Sequence, residues 1–274
     1  MNTAIPEPAS VESLFARIRE DREQAVANAR VVLAQADPSE STERPVPDDD
    51  EKLLQLRDAA MTPIEAALTR RLKRVLQDDQ NDLLDRLRGL RTHPTAAFVL
   101  PARSAQTMRF AAASLPMLGE AAAAGADFVT RRLGRTPLGD GALGSLDDVA
   151  AELANVIVFP LRRRLEEVFA AAAADDDRVA LAESIGAAYR EWKTQRIEAT
   201  GADYVAAAYS RGAYAATPAG TTSRWLVEDV DGPCPDCDDN VLAGAVPKGD
   251  AYPTGQPHPP AHSGCRCLAV PNPR

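Results

Sequence analysis

Apolar side chains recur at steps of three and four along most of the chain, which is the spacing that places them on one face of an α-helix. Residues 10 to 36 show it first, with Val11, Leu14, Phe15, Ile18, Ala25, Val26, Ala29 and Leu33, and with Ser10 in position to cap a helix start. Leu53 to Leu90 repeats it through Leu68, Leu72, Val75, Leu76, Leu83 and Leu87, where Thr62 before Pro63 has the form of a cap and a first-turn proline. His93-Pro94 predicts a stop, because proline lacks the amide proton and restricts the residue before it. Alanine-rich helices are predicted for 104 to 133 and 145 to 174, and one more helical block for 178 to about 216. That block carries Tyr189, Trp192, Ile197, Tyr204 and Val205, read as core residues. No alternating run of more than a few residues precedes Trp225.

Two segments break the pattern. Residues 37 to 50, DPSESTERPVPDDD, hold three prolines and few apolar groups, and predict a linker. GRTPLGDGALG, 134 to 144, has four glycines and reads as a loop or hinge. No repeat of 20 to 50 residues and no sustained heptad is present. The expected fold is mainly α: an elongated helical body with a small irregular Cys/His zinc-type module at the C-terminus. The expected division is 1-50, an N-terminal helix and acidic linker; 51-220, the helical body; and 221-274, a Cys-rich module.

Composition narrows the function classes. With 31 Lys and Arg against 40 Asp and Glu, the net charge is −9, which argues against broad binding to nucleic acid through phosphate neutralisation. Arg70, Arg71, Lys73 and Arg74 form a local basic patch, read as a solvated helix face. No apolar run has the length of a membrane span and no leader pattern opens the chain, so no membrane contact and synthesis in the cytoplasm are expected. All four cysteines lie near the C-terminus, and in a reducing compartment such a cluster indicates metal before disulfide.

The tail from 221 is rich in Pro, Gly and Asp and needs a staple to pack. Its ligand candidates fall in two groups, Cys234-x₂-Cys237 and His262-x₂-Cys265-x-Cys267. Two chelating groups joined by a loop are how structural zinc sites are commonly built, so a structural Zn site is expected from Cys234, Cys237, His262, Cys265 and Cys267. Five donors compete for four places, so Cys₄ and Cys₃His are both open, with the four sulfurs preferred. Gly232, Pro233 and Gly264 are expected to supply the turns, and Gly264 to help bring Cys265 and Cys267 together. His258 and His93 read as exposed histidines. Asp229, Asp231, Asp236, Asp238 and Asp239 lack the glycine and distal glutamate of an EF-hand, and read as solvated turn residues.

The order of these residues resembles the phage Mu F-like head morphogenesis family of minor head proteins. Arg196 and Glu198 match its helix signature, Arg224-Trp225 the segment that follows, Asp229 and Asp231 its acidic turn, and the Cys and His residues its C-x-x-C and H-x-x-C-x-C. The resemblance spans about Trp192 to Val270. Departures are Asp238-Asp239-Asn240 after C-x-x-C, where the family has glycine sooner, and the dense prolines from Pro253 to Pro260. The resemblance implies a virion protein at the portal or capsid interior, with portal protein or major capsid protein as partner, contact with packaged DNA, and a part in packaging or ejection. No enzyme is expected, since the toxin or enzyme domain of some members would follow Cys267. The alternative is a zinc-ribbon regulatory protein that binds nucleic acid, which the acidic tail disfavours. A zinc hydrolase is disfavoured by the sulfur-rich donor set.

Overall fold

The computed structural model describes residues 47–90, 94–137, 143–172, 177–228 and 234–273. The helix expected over 10 to 36 lies outside them. Among the described residues, five α-helices of more than one turn and one single turn precede the tail. α1 is Pro47–Gly89, α2 a single turn at Ala96–Val99, α3 Arg103–Arg132, α4 Asp147–Ala172, α5 Arg178–Glu191 and α6 Ile197–Ala216. The tail adds β1 (Thr222–Leu226), α7 (Pro235–Leu242), β2 (Ala245–Pro247) and β3 (Leu268–Pro271). The protein is mainly helical, as the periodicity predicts. Among the described residues no helix is long and apolar enough to cross a membrane.

Two boundaries differ from the expectation. α1 starts at Pro47, inside the segment read as linker. The described helix thus takes in residues 47–50, which composition alone assigns to the linker. Thr62-Pro63 does not start a helix; α1 runs through it for 43 residues. The Thr62 hydroxyl donates to the Asp58 carbonyl at 2.8 Å, and Pro63 is exposed, so the carbonyl it leaves without an amide partner can turn to water. Pro116 and Pro160 sit inside α3 and α4 in the same way, on exposed positions.

The block from 178 to 216 is two helices joined by a π-turn at Trp192–Arg196. Trp192 is buried there and Arg196 lies over its ring at 5.4 Å while pairing with Glu191 at 2.7 Å. The core reading of the aromatics holds for Tyr189 and Trp192, both buried, whereas Tyr204 is packed against the core with part of its surface exposed.

The main core joins the leucines of α1 to Leu153, Ile157, Leu161 and Leu165 of α4 and to Ile185, Tyr189, Ile197 and Val205 of α5 and α6. One polar knot lies within it. Asp79 is buried and accepts from the Tyr189 hydroxyl at 2.7 Å and the Gln106 amide at 2.5 Å, with Arg109 at 3.4 Å. Burial, then the Asp79 charge, raises the Tyr189 pKa, so this hydroxyl remains a donor.

The alanine content has a packing purpose at the crossing of α3 with α6. A β-carbon on Gly125 would stand 1.9 Å from the Tyr209 carbonyl oxygen, and one on Gly212 would stand 1.9 Å from that of Ala122. The backbones touch, which compensates for the small area that alanine side chains bury.

From Asp48 to Arg274 the chain is one compact unit, so the 51-220 and 221-274 stretches are packed on each other. The sheet has order β2-β1-β3, with both pairings antiparallel. Its two faces separate by residue parity. Leu226, Leu268 and Val270 join the helical core, while Trp225 and the cysteine just before β3, Cys267, enter a second cluster with Cys237, Cys265 and Tyr252.

The glycine contact gives a direct stability test. Gly212→Ala or Gly125→Ala should destabilise by more than about 3 kcal/mol, because a backbone carbonyl must move to admit the methyl. Gly119→Ala, in the same α3 but with nothing within 4 Å of the added carbon, should be stabilising by up to roughly 1 kcal/mol. Urea unfolding of the three variants distinguishes them.

Candidate metal centre

The first pair of sulfurs sits at the start of a helix rather than on a plain knuckle. Cys234 precedes α7, whose first residue is Pro235, and its carbonyl accepts from the Asp238 amide at 2.9 Å. One turn of α7 then carries Cys237 back under Cys234. The leading amides of α7, that of Cys237 first, draw the Cys234 thiol below its ordinary pKa. Asp236 and Asp239 project from α7 into solvent and Asp238 is half-buried. Asp229, Asp231, Gly232 and Pro233 lie outside the described residues.

The second group comes from the turn at His262 to Gly264. Gly264 has φ of +76°, a conformation that favours glycine, and the Cys265 amide donates to the His262 carbonyl at 3.2 Å. Its effect differs from the expected one. Gly264 turns the chain between His262 and Cys265, whereas Cys265 and Cys267 meet because residues two apart in an extended segment share a side. Arg266, between them, points to α1 and donates to Glu65 at 2.7 Å.

All five candidates converge. His262 Nε2 is 3.1 Å from Cys234 Sγ and 3.4 Å from Cys237 Sγ. Cys237 Sγ is 3.8 Å from Cys265 Sγ and 3.4 Å from Cys267 Sγ. Two triads therefore share one vertex: Cys234, Cys237 and His262, and Cys237, Cys265 and Cys267, each with ligand atoms within 4.8 Å of one another. All four cysteines are free, and their separations far exceed the roughly 2.05 Å of a disulfide.

Protonation follows from the neighbours. His262 Nδ1 is 2.8 Å from the Ser263 carbonyl, which can only accept, so Nδ1 bears the hydrogen and Nε2 presents its lone pair to the sulfurs. The same bond raises the His262 pKa. Hydrogen bonding from Cys267 brings the Cys265 thiol down to about 5, and the same pairing drives Cys267 up. Burial pushes Cys237 up to about 12. Two sulfurs, Cys234 and Cys265, are thus disposed to ionise beside two, Cys237 and Cys267, that resist it.

The shell around the donors is built. Trp225 is buried edge-on to Tyr252, with ring centroids 4.8 Å apart, and the Tyr252 hydroxyl donates to the Ser223 carbonyl at 2.7 Å. The buried Trp225 indole nitrogen has no hydrogen-bond partner among the described residues. Asn240 is fully buried and holds Thr254 by three hydrogen bonds of 2.9 to 3.2 Å, tying α7 to the loop. The donor chemistry and the free Nε2 lone pair fit a metal ion such as zinc.

The centre is fastened to the helices by charge. Arg57 of α1 is only 2% exposed; it donates to Asp58 at 2.7 and 2.9 Å, to Glu228 at 2.6 Å, and to the Arg266 carbonyl. Asp203 of α6 accepts from the Ser263 hydroxyl at 2.5 Å and the Gly264 amide at 3.0 Å. Arg224 pairs with Asp50. Lys248 donates to the Ala215 and Thr217 carbonyls at the end of α6 and lies 5.1 Å over the Tyr214 ring. No motif marks Arg57, Asp203, Asn240 or Tyr252, since each acts through a partner distant in the chain. Arg196 and Glu198, in contrast, stand away from the cluster: Arg196 is occupied by Glu191 and Trp192, and Glu198 is exposed.

His258 is not the exposed loop residue expected. Its ring lies 5.0 Å from that of Tyr214, and its Nδ1 is 2.6 Å from the Pro259 carbonyl. His93 lies outside the described residues. Comparison of the chain with protein-family models, with curated proteins and with solved structures finds no match.

Burial lowers the His258 pKa from its ordinary 6.5. Below pH 6.5 the unfolded chain takes up a proton that the folded chain refuses, so this residue makes stability fall with pH, by at most about 1.4 kcal/mol per pH unit. Between pH 7 and 5.5, unfolding free energies of His258→Phe should therefore decline less steeply than those of the parent. Parallel slopes would show that His258 titrates alike in both states.

Proposed function

We propose that the protein is a phage minor head protein of the Mu F-like kind, acting in head assembly at the portal or inner capsid, and that its tail is held by a structural zinc ion. What supports this is the chain order Arg224-Trp225, Cys234-x₂-Cys237, His262-x₂-Cys265-x-Cys267, together with the meeting of the five donors in two triads that share Cys237. A tetrahedron with metal–sulfur bonds of about 2.3 Å has sulfur–sulfur edges of about 3.8 Å, which is the Cys237–Cys265 separation. Cys234, Cys237, His262 and Cys265 are the proposed ligands. Cys267 then lies behind them, between Cys237 and the indole of Trp225.

Zinc would supply charge compensation and cross-linking, not catalysis. A second cluster of one tryptophan, one tyrosine and three buried cysteines is a small apolar store for some fifty residues, and metal binding free energy then becomes folding free energy. Partners under this proposal are the portal protein or the major capsid protein, with packaged DNA within reach. Portal, terminase or capsid genes beside this one, and the chain itself in purified particles by mass spectrometry, are the expected findings. Particles that lack it would sink the virion assignment and leave the zinc assignment untouched.

The zinc assignment has its own test. Purified protein should carry about one equivalent of zinc, and a strong chelator should open residues 222–271 to protease. Cys237→Ser, which removes the vertex common to both triads, should lower zinc content more than Cys267→Ser does. Metal-free protein with an equally resistant tail would rule the assignment out.

A further inference from the structure

Resting on the zinc reading, we infer that Arg57 is a positioning residue for the metal centre, and that through it metal binding and the seating of the first half of α1 are thermodynamically one event. An arginine cannot shed its charge, so a guanidinium 2% exposed must spend its donors on acceptors that stay in place. Asp58 is on its own helix and is the most exposed of its partners. The other two are Glu228, at the end of the segment after β1, and the carbonyl of Arg266.

That carbonyl belongs to the residue between Cys265 and Cys267. Fixing it fixes the peptide plane from Arg266 to Cys267, and so holds the chain directly beyond the ligand Cys265. The same segment is gripped twice more, by Glu65 on the Arg266 side chain at 2.7 Å and by Asp203 on Ser263 and Gly264. Glu65 and Arg57 stand two turns apart on α1, so one stretch of one helix holds both the backbone and the side chain of Arg266, the residue after the ligand Cys265.

The linkage runs in both directions. With the donors gathered on a metal, the Arg266 carbonyl and Glu228 stay where Arg57 needs them. Without it the segment loosens, Arg57 keeps only Asp58, and residues 50–66 of α1 lose their attachment to the tail, including the Arg224–Asp50 pair. Chelation should therefore loosen the tail and the start of α1 together, and not the tail alone.

The test measures zinc affinity by competition with a chromophoric chelator for the parent, Arg57→Met, Arg57→Lys and Tyr189→Phe. Arg57→Met should bind zinc at least about tenfold more weakly, the usual scale for a residue that orients metal ligands. Arg57→Lys, keeping the charge but not the fork, should fall between. Tyr189→Phe removes a donor from Asp79 in the distant core, and should lower the melting temperature with affinity unchanged. In parallel, hydrogen exchange of the unmutated protein with and without zinc should show protection gained at residues 50–66 as well as 222–271. Unchanged affinity in Arg57→Met, or protection confined to the tail, would overturn the inference while the zinc reading stands. Failure of the parent to bind zinc would overturn both.

Discussion

The tail depends on a sheet whose two faces belong to different cores. Leu226 and Leu268 face the helices, and Trp225 and Cys267 face the sulfur cluster. Because strand neighbours alternate sides, neither core can form with its present residues unless the register of β1 with β3 is right, Trp225 opposite Ala269 and Leu226 opposite Leu268. A slip of one residue would put a leucine among the thiols and a cysteine into the helical core. The strands are short, and the register is secured from outside them: by the ligand cluster, by Arg132 on the Pro271 carbonyl at 2.8 Å, and by Arg224 on Asp50.

Around that sheet the two cores achieve cohesion differently. The helical body relies on leucine layers from α1 and α4 and on backbone contact where Gly125 and Gly212 let α3 and α6 close up. The tail has too few apolar groups for that. It substitutes directional contacts: Asn240 on Thr254, Tyr252 on Ser223, His262 on Ser263, and the charged clamps from Arg57, Glu65 and Asp203. Directional contacts fix positions well but contribute little net stability each, which is why a cation held at the proposed centre would weigh heavily on whether the tail stays folded.

The helices were legible because their signal is local. Leu68, Leu72, Val75 and Leu76 announce a buried face, and the ligand spacing announces a cluster that can hold metal. What was not legible depended on distant partners or on competing local rules. Residues 47–50 read as linker by composition, yet belong to α1. Pro63 reads as a start, yet is carried inside α1 on its exposed side. His258 reads as free among prolines, but Tyr214 covers it. Arg57 looks like any helix-surface arginine, since its partners lie 171 and 209 residues away.

The coordination shell is the central claim in its most direct form. X-ray absorption at the zinc edge of the purified protein should give three sulfurs near about 2.3 Å and one nitrogen near about 2.0 Å. A shell of four sulfurs would contradict the place given to His262, and a shell of oxygens, or no bound metal, would contradict the metal centre itself.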